Sequence, residues 1–181
     1  MKLKTRPSEW PRQLTEYCGR HRPWLLDQGS LTRRVRAHFD GFAVRHVRQQ
    51  VCRADADPAI IVRLGNCSRV MLRDVYLYAE GHPRVYAHSV LPLASLRGAW
   101  HALCRLGTRP LGEALFTNPR ARRTGRAYKK VNRSHELYRR ACAMLDEKPV
   151  SVWARGSFYS LDGRPILVIE VFLPLILDAG K

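Results

Sequence analysis

The sequence predicts an α+β domain, an antiparallel β-sheet with helices packed against it, and three observations predict it. Two pairs of apolar, strand-like segments are joined by turn sequences: Val70 to Ala79 with Arg84 to Leu91 across Glu80-Gly81-His82-Pro83, and Val152 to Leu161 with Pro165 to Leu173 across Asp162-Gly163. An Asp-Gly pair between such runs is a strong hairpin signal, because both residues accept the positive φ of a type I′ turn. Helical spacing of apolar residues fills the interval between the two hairpins. Strands joined by tight turns run antiparallel, so parallel βαβ alternation is not predicted.

Along the chain, residues 1–23 read as an N-terminal extension and 24–177 as a single domain. Trp24-Leu25-Leu26 before Gly29-Ser30 predicts a short turn of helix, and Leu31 to Phe39 a second helix capped by Ser30. Phe42 to Val51 and Ile60 to Leu64 read as strands, with Asp55 to Pro58 turning between them. Leu96, Ala99, Trp100, Leu103 and Leu106 lie on one face of a helix expected over Leu93 to Leu106 and stopped by Gly107. Pro110 opens a short helix continuing to Phe116. A basic loop is expected at about 118–133, around the run Arg120 to Lys130, followed by a helix from Ser134 to Glu147 that Pro149 ends.

Composition bounds the function. With 181 residues and 45% hydrophobic content, the chain buries a real core. Its most apolar stretch, Ile166 to Leu177, is too short to span a membrane and contains Glu170 and Pro174. The opening MKLKTRPSEW has charge but no apolar run behind it, so export is not indicated. Cys18, Cys52, Cys67, Cys104 and Cys142 form no CxxC pair, which predicts reduced thiols, a cytoplasmic location and no metal site. The balance of 32 Lys+Arg against 15 Asp+Glu, net +17, attracts anions of every kind. No helix-turn-helix, RNP or zinc-finger pattern accompanies it, so no specific nucleic-acid partner is expected.

Two charges stand where a core should be. Alternation along the strand from Val70 places Arg73 with Met71, Val75, Leu77 and Ala79 on one apolar face. In the last strand both faces are apolar and Glu170 is the only charge, which predicts a central, covered strand. An unpartnered buried charge costs several kcal/mol. Either Arg73 and Glu170 form an internal ion pair, or both line one pocket, the arginine gripping a carboxylate and the glutamate meeting a hydroxyl. The helix starts at Ser30-Leu31 and Pro110-Leu111-Gly112 offer backbone amides suited to an anion, or are ordinary caps.

Read in order, LLDQGSLTRR, MLRDVYLYAEGHPRVYAHSVLP, LGTRPLGEALF and VWARGSFYSLDGRPILVIEVFLP closely resemble the chorismate pyruvate-lyases, or 4-hydroxybenzoate synthases, of bacterial ubiquinone synthesis. The resemblance runs from about Leu25 to Pro174. It implies a cofactor-free, cytoplasmic, monomeric lyase that converts the small molecule chorismate to 4-hydroxybenzoate and pyruvate, with its ligand buried under flaps. By motif, Arg73 matches the family's carboxylate-binding arginine and Glu170 the glutamate at the para hydroxyl, the two residues expected to carry catalysis. Leu31 and Leu111 match positions whose amides contact the ligand's carboxylate. Two departures are visible: Leu31 stands in place of Met, and His88 in place of an arginine, where it reads as a strand-surface histidine or a weakened second cation. The alternative is a non-catalytic domain of this fold that senses an aromatic acid. A regulator of that kind carries a helix-turn-helix ahead of the domain, and only about two dozen residues precede Leu25.

Overall fold

The structure, a computed structural model, describes residues 4–5, 10–53, 62–63, 69–97 and 100–178. Six strands form one antiparallel sheet: β2 (Ala43–Arg53), β4 (Arg69–Ala79), β5 (His82–Pro92), β6 (Arg122–Asn132), β7 (Ser151–Leu161) and β8 (Arg164–Phe172). Their spatial order is β2-β4-β5-β8-β7-β6, so β8 is central, as its two apolar faces require. A separate two-stranded pair joins β1 (Lys4–Thr5) to β3 (Val62–Arg63). Of the strand expected over Ile60 to Leu64 only β3 is described, and the Asp55 to Pro58 turn lies outside the described residues.

Both hairpins turn where the sequence places them. Glu80 and Gly81 have φ of 51° and 77°, and Asp162 and Gly163 have 50° and 73°, the left-handed pair that matches the twist of the flanking strands. Each turn sets a register, and the second sets Arg155 opposite Glu170.

Short helices cover the sheet. On one face lie α1 (Arg22–Leu26), α2 (Leu31–His38), α3 (Leu93–Leu96) and α4 (Leu111–Thr117), packed on residues such as Val75, Leu77, Ile166 and Val168. The opposite face carries α5 (Glu136–Ala141) and Trp10 over Leu72, Tyr76, Leu167 and Ile169. Ser30 caps α2, its hydroxyl accepting from the Arg33 amide at 3.4 Å.

Three expectations need correction. The helix expected from Leu93 to Leu106 is a short α3 and a 3-10 turn over His101–Arg105. Leu96, Trp100, Leu103 and Leu106 are all buried, and the Trp100 indole donates to the Arg164 carbonyl at 2.8 Å, so the periodicity reported the buried face and not a continuous helix. The expected basic loop is instead β6, paired with β7 from Arg122↔Ser160 to Asn132↔Ser151. β6 is an edge strand of the sheet, where its Tyr128 amide donates to the Pro11 carbonyl, while Ala127 and Val131 turn into the core. The helix from Ser134 to Glu147 is only α5, which ends where the Tyr76 hydroxyl donates to the Arg140 carbonyl.

Candidate active site

The four residues singled out from the sequence, Leu31, Arg73, Leu111 and Glu170, all line one cavity between the sheet and helices α2 and α4. The strands supply Arg73 and Val75 from β4, Ala87 and Ser89 from β5, Val168 and Glu170 from β8, and Tyr159 from β7. These side chains share a face because residues two apart on a strand point the same way and the hairpin registers align them.

Arg73 is 1% exposed. One of its terminal nitrogens donates to the carbonyls of Gly107 at 2.9 Å and Arg109 at 3.1 Å, on the loop that leads into α4. Its Nε is buried without a hydrogen-bond partner, and no carboxylate among the described residues pairs with the guanidinium. Burial pulls its pKa below the ordinary arginine value. A buried cation braced by neutral carbonyls and carrying a free donor is arranged to receive an anion.

Glu170 does not pair with Arg73. Its partner is Arg155, which sequence reasoning missed: Nε and Nη2 both meet Oε2, at 2.8 and 2.7 Å. The third nitrogen of Arg155, Nη1, donates to the carbonyls of Trp24 at 2.9 Å, Leu25 at 3.3 Å and Asp27 at 3.2 Å, the free carbonyls at the end of α1. One guanidinium thus holds the acid in place and ties it to the segment leading into α2. Nearby, burial first and then Glu170 hold the Tyr159 phenol above its usual pKa, against the pull of Arg123.

Leu31 and Leu111 are the first residues of α2 and α4, where backbone amides lack acceptors inside the helix. The two helix starts approach closely because Gly112 has no side chain: a Cβ there would lie 3.3 Å from Thr32 Oγ1 and 3.8 Å from Ser30 Oγ. An exposed ion pair, Arg36 to Glu113 at 2.6 Å, also joins α2 to α4. The cavity beneath them measures about 40 Å³.

His88 is neither on the surface nor at the cavity. It is fully buried on the opposite face of the sheet, its Nδ1 2.6 Å from Asp74 Oδ1, because it alternates with the cavity-lining Ala87 and Ser89. Burial alone raises the Asp74 pKa, but the hydrogen bond and charge of His88, with Tyr86 and Arg140, bring it below the usual carboxylate value.

An antiparallel sheet with helices gathered over it is a fold seen in solved bacterial proteins. PhnF from Mycobacterium smegmatis superposes with a TM-score of 0.56 at 14% identity, covering 86% of this chain and 67% of that one. A GntR-family transcriptional regulator from Enterococcus faecalis gives 0.50 at 11%, covering 78% and 93%. At these identities the likeness is one of fold. Sequence goes further. The family model described as Chorismate lyase matches residues 10–180. A protein of Nitrosomonas eutropha named "Probable chorismate pyruvate-lyase" is 46% identical, covering 84% of this chain and 86% of its own length. One of Nitrosospira multiformis with the same name is 41% identical, covering 94% and 96%. The chain belongs to the chorismate lyase family.

Proposed function

We propose that this protein eliminates pyruvate from chorismate to give 4-hydroxybenzoate, the first committed step of ubiquinone synthesis, and does so in the cavity lined by Arg73 and Glu170. The observation that carries the reading is the arrangement of one cation without a carboxylate partner and one braced acid on the walls of a single enclosed hollow. The cytoplasm is the compartment that suits it, in keeping with the free thiols of Cys18, Cys104 and Cys142.

Chorismate carries a carboxylate on its ring, a hydroxyl para to it and an enolpyruvyl ether next to the hydroxyl. In the elimination the ring carbon–oxygen bond of the ether breaks and its electrons leave with the enolpyruvate oxygen. A proton departs from the carbon bearing the hydroxyl, the ring becomes aromatic, and the enolpyruvate takes up a proton to become pyruvate. Aromatisation supplies the driving force, so orientation and charge placement are the protein's main tasks. Arg73 and the amides of Leu31 and Leu111 hold the ring carboxylate at one end. Glu170, whose Oε2 is engaged by Arg155, offers Oε1 to the hydroxyl and stands as the base for the neighbouring proton.

An apolar cavity of about 150 Å³ takes benzene, whereas this one is about 40 Å³. A ring-sized ligand is therefore admitted only when α2 and α4 move apart, and it is sealed from water when they return.

The test is to incubate purified protein with chorismate and follow both products. Pyruvate and 4-hydroxybenzoate should be released in equal amounts; the meta isomer, or no pyruvate, overturns the reading. Glu170→Gln separates its two roles: near-normal turnover would exclude proton abstraction and leave only positioning.

A further inference from the structure

We propose that Arg123, on β6, receives the second carboxylate of the substrate, the one on the enolpyruvyl side chain. The inference rests on the chorismate reading and assigns its other anionic end. Chorismate brings two carboxylates and the aromatic product keeps one, so a site for this reaction holds a charge that the product lacks. His88, the position expected to supply a second cation, is shut away on the far face against Asp74.

Arg123 stands on β6, four strands across the sheet from the strand that carries Arg73, and beside the cavity rather than among the residues that line it. Its register partner on β7 is Tyr159, a cavity wall. The guanidinium carbon lies 5.4 Å from the centre of the Phe116 ring and 5.5 Å from that of Tyr159, and both rings line the cavity. Its Nε donates to the Tyr159 hydroxyl at 3.4 Å. Its other nitrogens donate to Gln28, Nη1 to the side-chain oxygen at 3.2 Å and Nη2 to the carbonyl at 2.9 Å, and Gln28 directly precedes the cavity-lining Gly29. The guanidinium thus sits where α4, β7 and the segment before α2 meet.

Among the described residues every hydrogen-bond partner of Arg123 is a neutral oxygen, and no carboxylate is paired with it. Its neighbour Arg155 is neutralised by Glu170, and Arg126 is engaged by the carbonyls of Leu26 and Asp27. A cation held by neutral acceptors and flanked by two rings keeps its charge for an incoming anion and presents a planar fork to it. β4 and β6 stand four strand spacings apart, roughly 19 Å at about 4.8 Å each. Between them lie Ala87, Glu170 and Tyr159 of the cavity wall, so the two arginines stand on different sides of it and offer separate cations to the two carboxylates.

The experiment compares a dianion with a monoanion in the same variants. Wild-type protein is first assayed for chorismate turnover; failure there overturns the chorismate reading and this inference with it. With an active wild type, Arg123→Gln should lower kcat/KM for chorismate about 30-fold or more, while the Kd for 4-hydroxybenzoate, measured by titration calorimetry, stays within about twofold. The unchanged Kd also reports an intact fold. Arg123→Lys keeps the charge and loses the fork, so it should fall between the two, and it carries the same comparison if the Gln variant does not fold. Equal losses for both ligands would make Arg123 only a fastening for the Gln28 segment and overturn the proposal. So would kcat/KM unchanged in both variants.

Discussion

Replacing Arg155 by Met removes one partner of a buried ion pair and leaves the other behind. Arg155 is 2% exposed, and its two bonds to Glu170 are joined by three contacts to the carbonyls that end α1. Breaking a buried pair from one side costs about 3–5 kcal/mol, because the surviving charge has no counter-charge. The Glu170 side chain keeps 14% of its exposure, so water reaches it in part and the lower half of that range, about 3–4 kcal/mol, applies. In a domain of this size each kcal/mol moves Tm by roughly 2–4 °C, which gives a fall of about 6–16 °C on thermal melting followed by circular dichroism. Exchanging both residues, Arg155→Met with Glu170→Leu, removes both charges and should recover at least half of the loss. A Met variant melting within about 2 °C of the parent would refute the reasoning. A double variant no more stable than the single one would do the same.

Arg73→Ala should weaken 4-hydroxybenzoate binding by roughly 2–5 kcal/mol, measured by calorimetry, and an unchanged Kd would remove Arg73 from the site. Gly112→Val places a branched side chain against Thr32; overpacking of about 1–3 kcal/mol should wedge α2 from α4 and lower kcat/KM roughly 5- to 160-fold, and wild-type kinetics would show that the close approach is not needed. Asp74 has a lowered pKa, so the stability it contributes is present above about pH 4 and is lost as pH falls further, through its folded value. The Tm gap between wild type and Asp74→Asn should therefore be widest above pH 4 and narrow below it; a gap independent of pH contradicts the assignment. Burial pushes the Cys142 thiol up to about 11, against the pull of Tyr138 and Lys148. At pH 8 only about one molecule in a thousand carries the thiolate, so labelling by a disulfide reagent should lag far behind the half-buried Cys104, and equal rates would count against it.

The sequence was most informative where a turn fixes a register. Alternation marks Arg73 and Glu170 as charges on covered strands and leaves an ion pair or a shared pocket open; in the structure both line one cavity together with Leu31 and Leu111 at the helix starts. Arg155 escaped notice although the same rule contained it: counting back from the Asp162-Gly163 turn sets Leu161 opposite Arg164 and Arg155 opposite Glu170. Alternation along one strand does not show what stands on the next, so the sequence offers Arg73 as the partner of Glu170; in the structure Arg73 bonds to backbone carbonyls instead. The edge strand β6 was hidden by its charge and by Gly125, since a run of arginine and lysine looks like a loop until its pairing with a neighbouring strand is seen. His88 looked exposed because its partner Asp74 is 14 residues away in sequence, opposite it only through the β4–β5 register.

The five contacts of Arg155 also constrain the paths by which this chain can diverge. A single inherited change at that position disturbs the acid of the candidate site and the anchorage of the first helix together. Drift through a lone replacement there passes through an ancestor lacking both. A compensating change at 170 would restore the charge balance, at the loss of the carboxylate proposed to meet the hydroxyl.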